Sequence, residues 1–466
     1  MIKKIFLFIF LLSIVDVVNA QLKSEVSECF ELTSIVFRLA EAPEYMNNDL
    51  SDYANDIDNY FYKYKSDKLI TFVKNLRKEY GVSYDAVMIA ASYLVIKNGR
   101  ITILPGILKI NEVDNRWTQS DFETFVIYLN HFYKETKFRT FYLRHTELYN
   151  FAVERMDELL KNIDVDWFQS FLGSEFRLPS VIISLSNGTH NYGFTRVLGK
   201  LRRNGIVLGT GEGVDGLPVY KKNKTSIVVH EFLHDYANSL ILDYWDQLAD
   251  AAQKIYSFVE NNMEQSAYNN PQTMLFEWLT RLLTLMYIQN DPLTKFTIDY
   301  QVREDHNRGF IWMERSVIFM EHYCKNRNLF IQFQDYMPQI VNFLNYTAKN
   351  FEQVLNEFNN IHPYIVDVFP MSGSDVKSDI DVIEIRFSEP MLDAHGMKPL
   401  ENENIMLFPI IGMPFWKDEY TFVIPLNVNE LKAGNVYGFQ LNPKFFQSNK
   451  TYQMKNIYTY TLNICK

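Results

Sequence analysis

Between Glu25 and about Lys161, apolar residues recur at three- and four-residue spacing, the period of helices that bury one face. Ser120-Asp-Phe-Glu123 has the pattern of a capping box. Phe125, Val126, Leu129, Phe132 and Tyr133 follow it on one stripe, which predicts a helix starting there. Strand signals are weak in this stretch, and ITILPGILKI, residues 101 to 110, is the best of them. Near Pro179 the texture changes. SVIISLSN, residues 180 to 187, predicts a strand, and Asn187-Gly188 a turn. NGIVLGTGEG, residues 204 to 213, predicts a second strand running into a Gly-rich loop. That loop lacks the Lys-Ser/Thr pair of a phosphate loop. A helix follows over TSIVVHEFLHDYANSL, and long helical patterns occupy about Asn270 to Asn360.

At Ile361-His362-Pro363 the period switches again, and His362 reads as linker. YIVDVFP, DVIEIRFSEPM, NIMLFPII, YTFVIPL, VYGFQL and IYTYTLNI alternate in the strand period, separated by turn residues at short intervals. Such spacing predicts a β-sandwich of about 100 residues. The expected class is α+β: a mainly helical domain with a small sheet over residues 21–360, then an all-β sandwich over 361–466.

Composition and charge narrow the function. The chain has 466 residues, rich in Phe and Tyr and poor in Gly and Pro, which fits packed cores rather than disorder. Its first 20 residues read as a secretory signal: Lys3 and Lys4, an apolar run from Ile5 to Val15 too short to span a bilayer, and Val18-Asn19-Ala20 before a cut. Nothing later is long and apolar enough to cross a membrane. The protein is therefore expected to be exported (periplasmic, cell-surface or secreted), with no transmembrane segment in the mature chain. Removing Lys3, Lys4 and Asp16 takes the formal charge from −10 to −11, which argues against nucleic acid as a partner. Cys29, Cys324 and Cys465 are too few and too scattered for a disulfide framework.

The chemistry concentrates in His230-Glu231-Phe232-Leu233-His234. On a helix the two histidines stand about 40° apart in azimuth, so both can grip one metal ion. Glu231 lies about 60° from His234, beside the metal but pointing elsewhere, as a base should. Two neutral imidazoles suit Zn²⁺, which lowers the pKa of a bound water to about 7. Glu231 would take that water's proton and pass it to a leaving amine. Ile227, Val228, Val229, Phe232, Leu233, Tyr236 and Ala237 make the helix apolar nearly all round, so it is expected to be buried, and its polar residues to need partners.

A catalytic zinc wants a third protein ligand. Position 240 is Leu, so the His-extended motif is absent, and a Glu on a following helix is the remaining common solution. NNPQTMLFEWLTRLLTLMYIQN supplies Glu277, alone among apolar residues, with Asn270 as cap and Pro271 in the first turn. Glu277 can also pair with Arg281 four residues on, and Arg281 could then orient a ligating carboxylate. Glu264 and Asp235 are further candidates. A donor to the developing oxyanion is sought in His306, Tyr300 or the loop His190-Asn191-Tyr192, each of which also reads as an ordinary core or surface residue.

Through FELTSIVFRLAEAPEY, IDNYFYKYK, LRKEYGVSYDAVM and VVHEFLHDYAN, the stretch from Glu25 to about Asn360 resembles a family of exported Bacteroidetes proteins defined by a domain of unknown function. More widely it is similar to gluzincin-type zinc metallopeptidases. That resemblance implies a zincin-like domain, with His230, His234 and Glu277 as zinc ligands, Glu231 as base, and a peptide or protein as substrate. The tail, through PYIVDVFPMSGSDV and IEIRFSEPM, resembles bacterial Ig-like domains, which implies a spacer or adhesion module. The expected function is hydrolysis of peptide bonds by an exported zinc enzyme. A non-catalytic surface or adhesion protein with a degenerate zincin core, and a zinc hydrolase of non-peptide bonds, are the alternatives.

Overall fold

The computed structural model describes residues 22–173, 176–199, 201–210, 213–220, 225–290, 298–400, 402 and 404–465. The expected signal segment, residues 1–20, and the middle of the Gly-rich loop lie outside the described residues. The architecture is mixed α and β, with a strand-rich C-terminal region. The chain divides into two compact units, Met1–Tyr236 and Ala237–Lys466. The change of texture near Asn360 falls within the second.

In the first unit the helices are α1 (Glu28–Leu39), α2 (Ser51–Phe61), α3 (Lys68–Tyr80), α4 (Asp85–Ser92), α5 (Gln119–Glu135), α6 (Phe138–Arg144), α7 (Thr146–Leu160) and α8 (Val165–Leu172), and α9 (Thr225–Asp243) begins in it. The strands are β1 (Ser24–Val26), β2 (Leu94–Lys97), β3 (Arg100–Ile103), β4 (Ser180–Ser184), β5 (Tyr192–Leu198), β6 (Leu201–Gly209), β7 (Gly213–Val214) and β8 (Leu217–Pro218). Helix α1 is buried from Cys29 to Leu39, and the acidic and basic residues inside that run, Glu31 and Arg38, have partners. The Glu31 carboxyl group accepts from the Leu185 amide at 2.7 Å and the Tyr53 hydroxyl at 2.8 Å. Arg38 forks onto Asp58 at 3.0 and 2.9 Å, a bidentate geometry that stabilises a buried guanidinium.

Helix α5 starts earlier than the Ser120 pattern predicts. Thr118 caps it, accepting from the Asp121 amide at 3.0 Å, so Ser120 lies inside the helix. Thr118-x-x-Asp121 is a second capping pattern two residues upstream, and the upstream one wins. The strand expected over residues 101–110 stops at Ile103, because Pro105 and the positive φ of Gly106 break it.

The principal sheet has the order β1-β4-β6-β5, with β1, β4 and β6 parallel and β5 antiparallel to β6. Residues 190–192, a loop by sequence, lead directly into β5, which the sequence pattern does not reveal. With Gly193, Thr195 and Arg196, that strand carries a thin apolar signal. Phe194 packs on Phe30 of α1, ring centroids 5.4 Å apart. Its ring lies across Gly205, where any Cβ would overlap it, so glycine is required at this cross-strand position.

In the second unit, α10 (Trp245–Gln265), α11 (Pro271–Asn290), α12 (Ile298–Asn307), α13 (Met313–Lys325), α14 (Met337–Lys349) and α15 (Phe351–Asn360) precede the strands of the tail. Helix α11 buries Met274, Leu275, Trp278, Leu279 and Thr280, then every residue from Leu282 to Ile288. Asn270 caps it as expected, accepting from the Thr273 amide at 2.9 Å. The buried polar groups are matched: the Thr280 hydroxyl donates to the Phe276 carbonyl at 2.8 Å, and Trp278 Nε1 donates to Ser316 Oγ of α13 at 3.0 Å.

The strands are β9 (Ile365–Phe369), β10 (Asp375–Val376), β11 (Val382–Phe387), β12 (Met397–Lys398), β13 (Ile405–Met406), β14 (Phe415–Trp416), β15 (Thr421–Pro425), β16 (Val436–Leu441) and β17 (Tyr458–Ile464). One sheet runs β14-β15-β11-β9. The other runs β10-β17-β16-β12, with β13 also on β16. Inward residues of both, among them Ile385, Phe422, Phe439 and Leu462, join one apolar cluster. NIMLFPII yields only a two-residue strand on β16, and beyond it the chain pairs with the other sheet, where Ile410 bridges Leu426.

His362 is more than linker. It is buried, and its Nδ1 contacts the Gln453 carbonyl at 2.7 Å. Its ring packs on Phe358 of α15 and on Tyr452, and His306 of α12 packs on the same two rings. Lys455 also contacts Asn359. Burial, then the charges of His362 and Arg303, push His306 down to about 4. Both Nε2 atoms lack a hydrogen-bond partner among the described residues, so protonation adds uncompensated charge.

A pH dependence results. His306 is neutral in the fold and binds a proton in the unfolded chain below its ordinary value of 6.5, so its contribution is complete above 6.5 and is lost as pH falls towards about 4. The loss is on the order of 3 kcal/mol, and His362, also lowered by burial, adds to it. Urea unfolding of the full chain on both sides of this window should show a shallower pH dependence in His306→Phe than in the wild type. Equal dependence in the two proteins would contradict the assignment.

Candidate metal centre

Helix α9 is not buried all round. Val228, Val229, Phe232, Leu233, Ala237, Leu240 and Ile241 are buried, but Ile227 is 37% exposed, and Ser226, His230, Glu231, His234 and Asn238 are half-buried. Ser226, His230, His234 and Asn238 recur every four residues, so these four fall on one stripe, with Glu231, Asp235 and Ser239 on the stripe beside it. A count of apolar residues hides that alignment. The buried stripes hold the helix: Phe232 packs on Phe168 of α8, ring centroids 6.1 Å apart, and the Tyr236 hydroxyl donates to the Leu172 carbonyl at 3.4 Å.

On the open stripe the His230 and His234 rings lie 4.6 Å apart and nearly perpendicular, at 86°. One potential ligand atom from each of His230, His234 and Glu277 lies within 4.8 Å of the other two. Glu231 is half-buried on the same helix, one residue after the first histidine. Of the three carboxylates weighed as third ligand, Glu277 is the one so grouped. Glu264 is exposed on α10. Asp235 accepts instead from Thr195 Oγ1 at 2.9 Å and Asn204 Nδ2 at 2.5 Å.

Glu277 is held by its own surroundings. The Tyr268 hydroxyl donates to Oε2 at 3.1 Å, and Arg281 Nε lies 3.4 Å from the same oxygen. Arg281 in turn donates to the Tyr268 hydroxyl at 2.9 Å and to Asp305 at 2.8 Å. Burial opposes the Arg281 charge, but Asp305, Tyr268 and Glu277 together hold its pKa above the usual range. Burial, then the Glu277 charge, raises the Tyr268 hydroxyl, which therefore remains a donor. The pairing of Glu277 with Arg281 expected from their spacing is present alongside the grouping with the histidines, and the two are compatible.

Neither candidate histidine among the oxyanion donors belongs to the grouped residues. His306 is 2% exposed within its ring cluster, the surroundings of a core histidine, and it is not one of the grouped residues. Tyr300 is exposed on α12. His190 is exposed beside Tyr84 and Tyr192, and Asn191 accepts from the Gly209 amide at 3.1 Å. Tyr268 and Asp305, which support Glu277, carry no sequence signal that marks them. Their roles come from contacts across helices.

Residues 13–343 match the family described as Domain of unknown function (DUF4932), and the chain belongs to that family. The match ends inside α14 and leaves out the strand-rich tail. No curated protein and no solved structure matches the chain.

The Arg281–Asp305 pair yields a stability prediction. Asp305→Ala should destabilise the protein by about 1.5–3 kcal/mol, because it removes a charged hydrogen bond from a buried guanidinium that Glu277 and Tyr268 still hold. Replacing both partners together with apolar residues of similar size should be much milder. Chemical denaturation of the single and double variants checks this, and equal losses in the two would contradict it.

Proposed function

We propose that the protein is an exported zinc-dependent peptidase in which His230, His234 and Glu277 hold the metal and Glu231 is the general base. In this reading the helical part is zincin-like, and the strand-rich tail is an Ig-like module serving as a spacer. The observation that carries the reading is the grouping of two imidazoles and one carboxylate within 4.8 Å. A tetrahedral ion with ligands about 2.1 Å away needs donor atoms about 3.4 Å apart, so small side-chain adjustments suffice. Two histidines and a glutamate are also a donor set that catalytic zinc uses.

Zinc bound there would act as a Lewis acid and make a water nucleophilic near neutral pH. Glu231 takes the proton of the attacking water and returns it to the leaving amine. Tyr268 and Arg281 keep Glu277 oriented through Oε2. The histidine stripe of α9 is half-buried rather than sealed, as this reading requires. Strand β5 comes last in its sheet, and Ile107 bridges it at Leu198. An extended peptide could pair by its backbone along the rest of that edge.

Metal analysis after dialysis against a mild chelator is the direct test. The wild type should retain zinc and Glu277→Ala should lose it; full occupancy in that variant would remove Glu277 from the ligand set. Glu231→Gln should keep zinc and lose about 10²–10⁴-fold in turnover of a peptide library. Unchanged turnover with zinc bound would exclude Glu231 as the base.

A further inference from the structure

Asp235 follows the second histidine directly and sits in the interior of α9, where it can cap neither end. Aspartate is a poor helix former at such a position, so helix formation does not explain it. Its carboxylate is instead clasped from the sheet. Thr195 donates to Oδ1 and Asn204 to Oδ2, at 2.9 and 2.5 Å. Thr195 of β5 and Asn204 of β6 are direct partners across the ladder, so their side chains leave one face of the sheet side by side. A carboxylate, with two acceptor oxygens, spans such a pair, and its charge strengthens both bonds. A register slip of one residue between the two strands would put the donors on opposite faces.

The clasp bears on the metal face. Asp235 lies about 100° around the helix from His234 and about 140° from His230. Apolar contacts such as Phe232 on Phe168 have little directionality, whereas two hydrogen bonds to fixed strands resist rotation of the helix about its axis. At the helix surface, about 5–6 Å from that axis, a roll of about 20° moves an atom by about 2 Å, the length of a zinc–nitrogen bond.

We propose that Asp235 is a positioning residue of the metal helix: by joining α9 to the cross-strand pair Thr195–Asn204, it helps set the roll at which His230 and His234 meet a metal ion. The proposal rests on reading those histidines as ligands. Its test uses the full chain, zinc titration against a competing chelator, the visible spectrum of the Co²⁺ derivative, and thermal melting of the metal-free protein. Asp235→Ala should bind zinc about 10–100-fold more weakly and shift the Co²⁺ spectrum. Asp235→Asn should recover much of the affinity, because Asn204 can turn its amide to complement it. The double variant Thr195→Val/Asn204→Ala removes both donors, leaves the helix sequence intact, and should behave like Asp235→Ala; it decides the matter if Asp235→Ala does not fold. A merely structural aspartate would lower the melting temperature and leave zinc affinity and the Co²⁺ spectrum of the folded variants unchanged. That result overturns the clasp while the ligand reading stands. Failure of the wild type to bind zinc overturns both.

Discussion

A helix that carries two imidazoles on one stripe, with a carboxylate beside them, has to leave those polar groups with solvent or partners while burying its apolar face. Helix α9 does so by aligning Ser226, His230, His234 and Asn238 every four residues and packing Phe232, Leu233 and Ala237 inward. The same demand recurs in the other central helices. Helix α1 buries Glu31 only because the Leu185 amide and Tyr53 hydroxyl meet it. Helix α11 carries Glu277 and Arg281 within a network that reaches Asp305. In each case a polar group inside an apolar helix is matched by a partner on another element.

That separation explains what is legible in the sequence. The helical and strand periods are local, so the switch near Pro363, most strands of the tail and the Asn270 cap can be read directly. The HExxH spacing is local too, and Glu277 stands out as a charge among apolar neighbours. Strand β5 escapes because Gly193 and Thr195 carry little apolar signal. The Thr118 cap escapes because two capping patterns overlap. Tyr268, Asp305 and the partners of Asp235 act across elements, and no periodicity records them.

His306 illustrates the converse. A histidine in a polar stretch, REDHNRGFIW, invites a chemical role, yet the fold surrounds it with Phe358, Tyr452 and His362. The sequence around it is polar because neighbouring side chains point elsewhere: Asp305 to Arg281 and Arg308. Asp305 is as buried as His306, so the polarity of this stretch reflects a matched buried charge and not a solvent-facing site.

The Phe194–Gly205 pair ties two positions of the sequence together. A ring at 194 lies where a side chain at 205 would stand, so the two cannot vary independently. A large residue on one strand demands glycine on the other. Both positions adjoin the residues that hold Asp235: Thr195 follows Phe194, and Asn204 precedes Gly205. A substitution at Gly205 would force the Phe194 ring or the strands to move, right beside the residues that hold Asp235. Variation at 194 and 205 is therefore coupled through the backbone to the helix that bears the histidines.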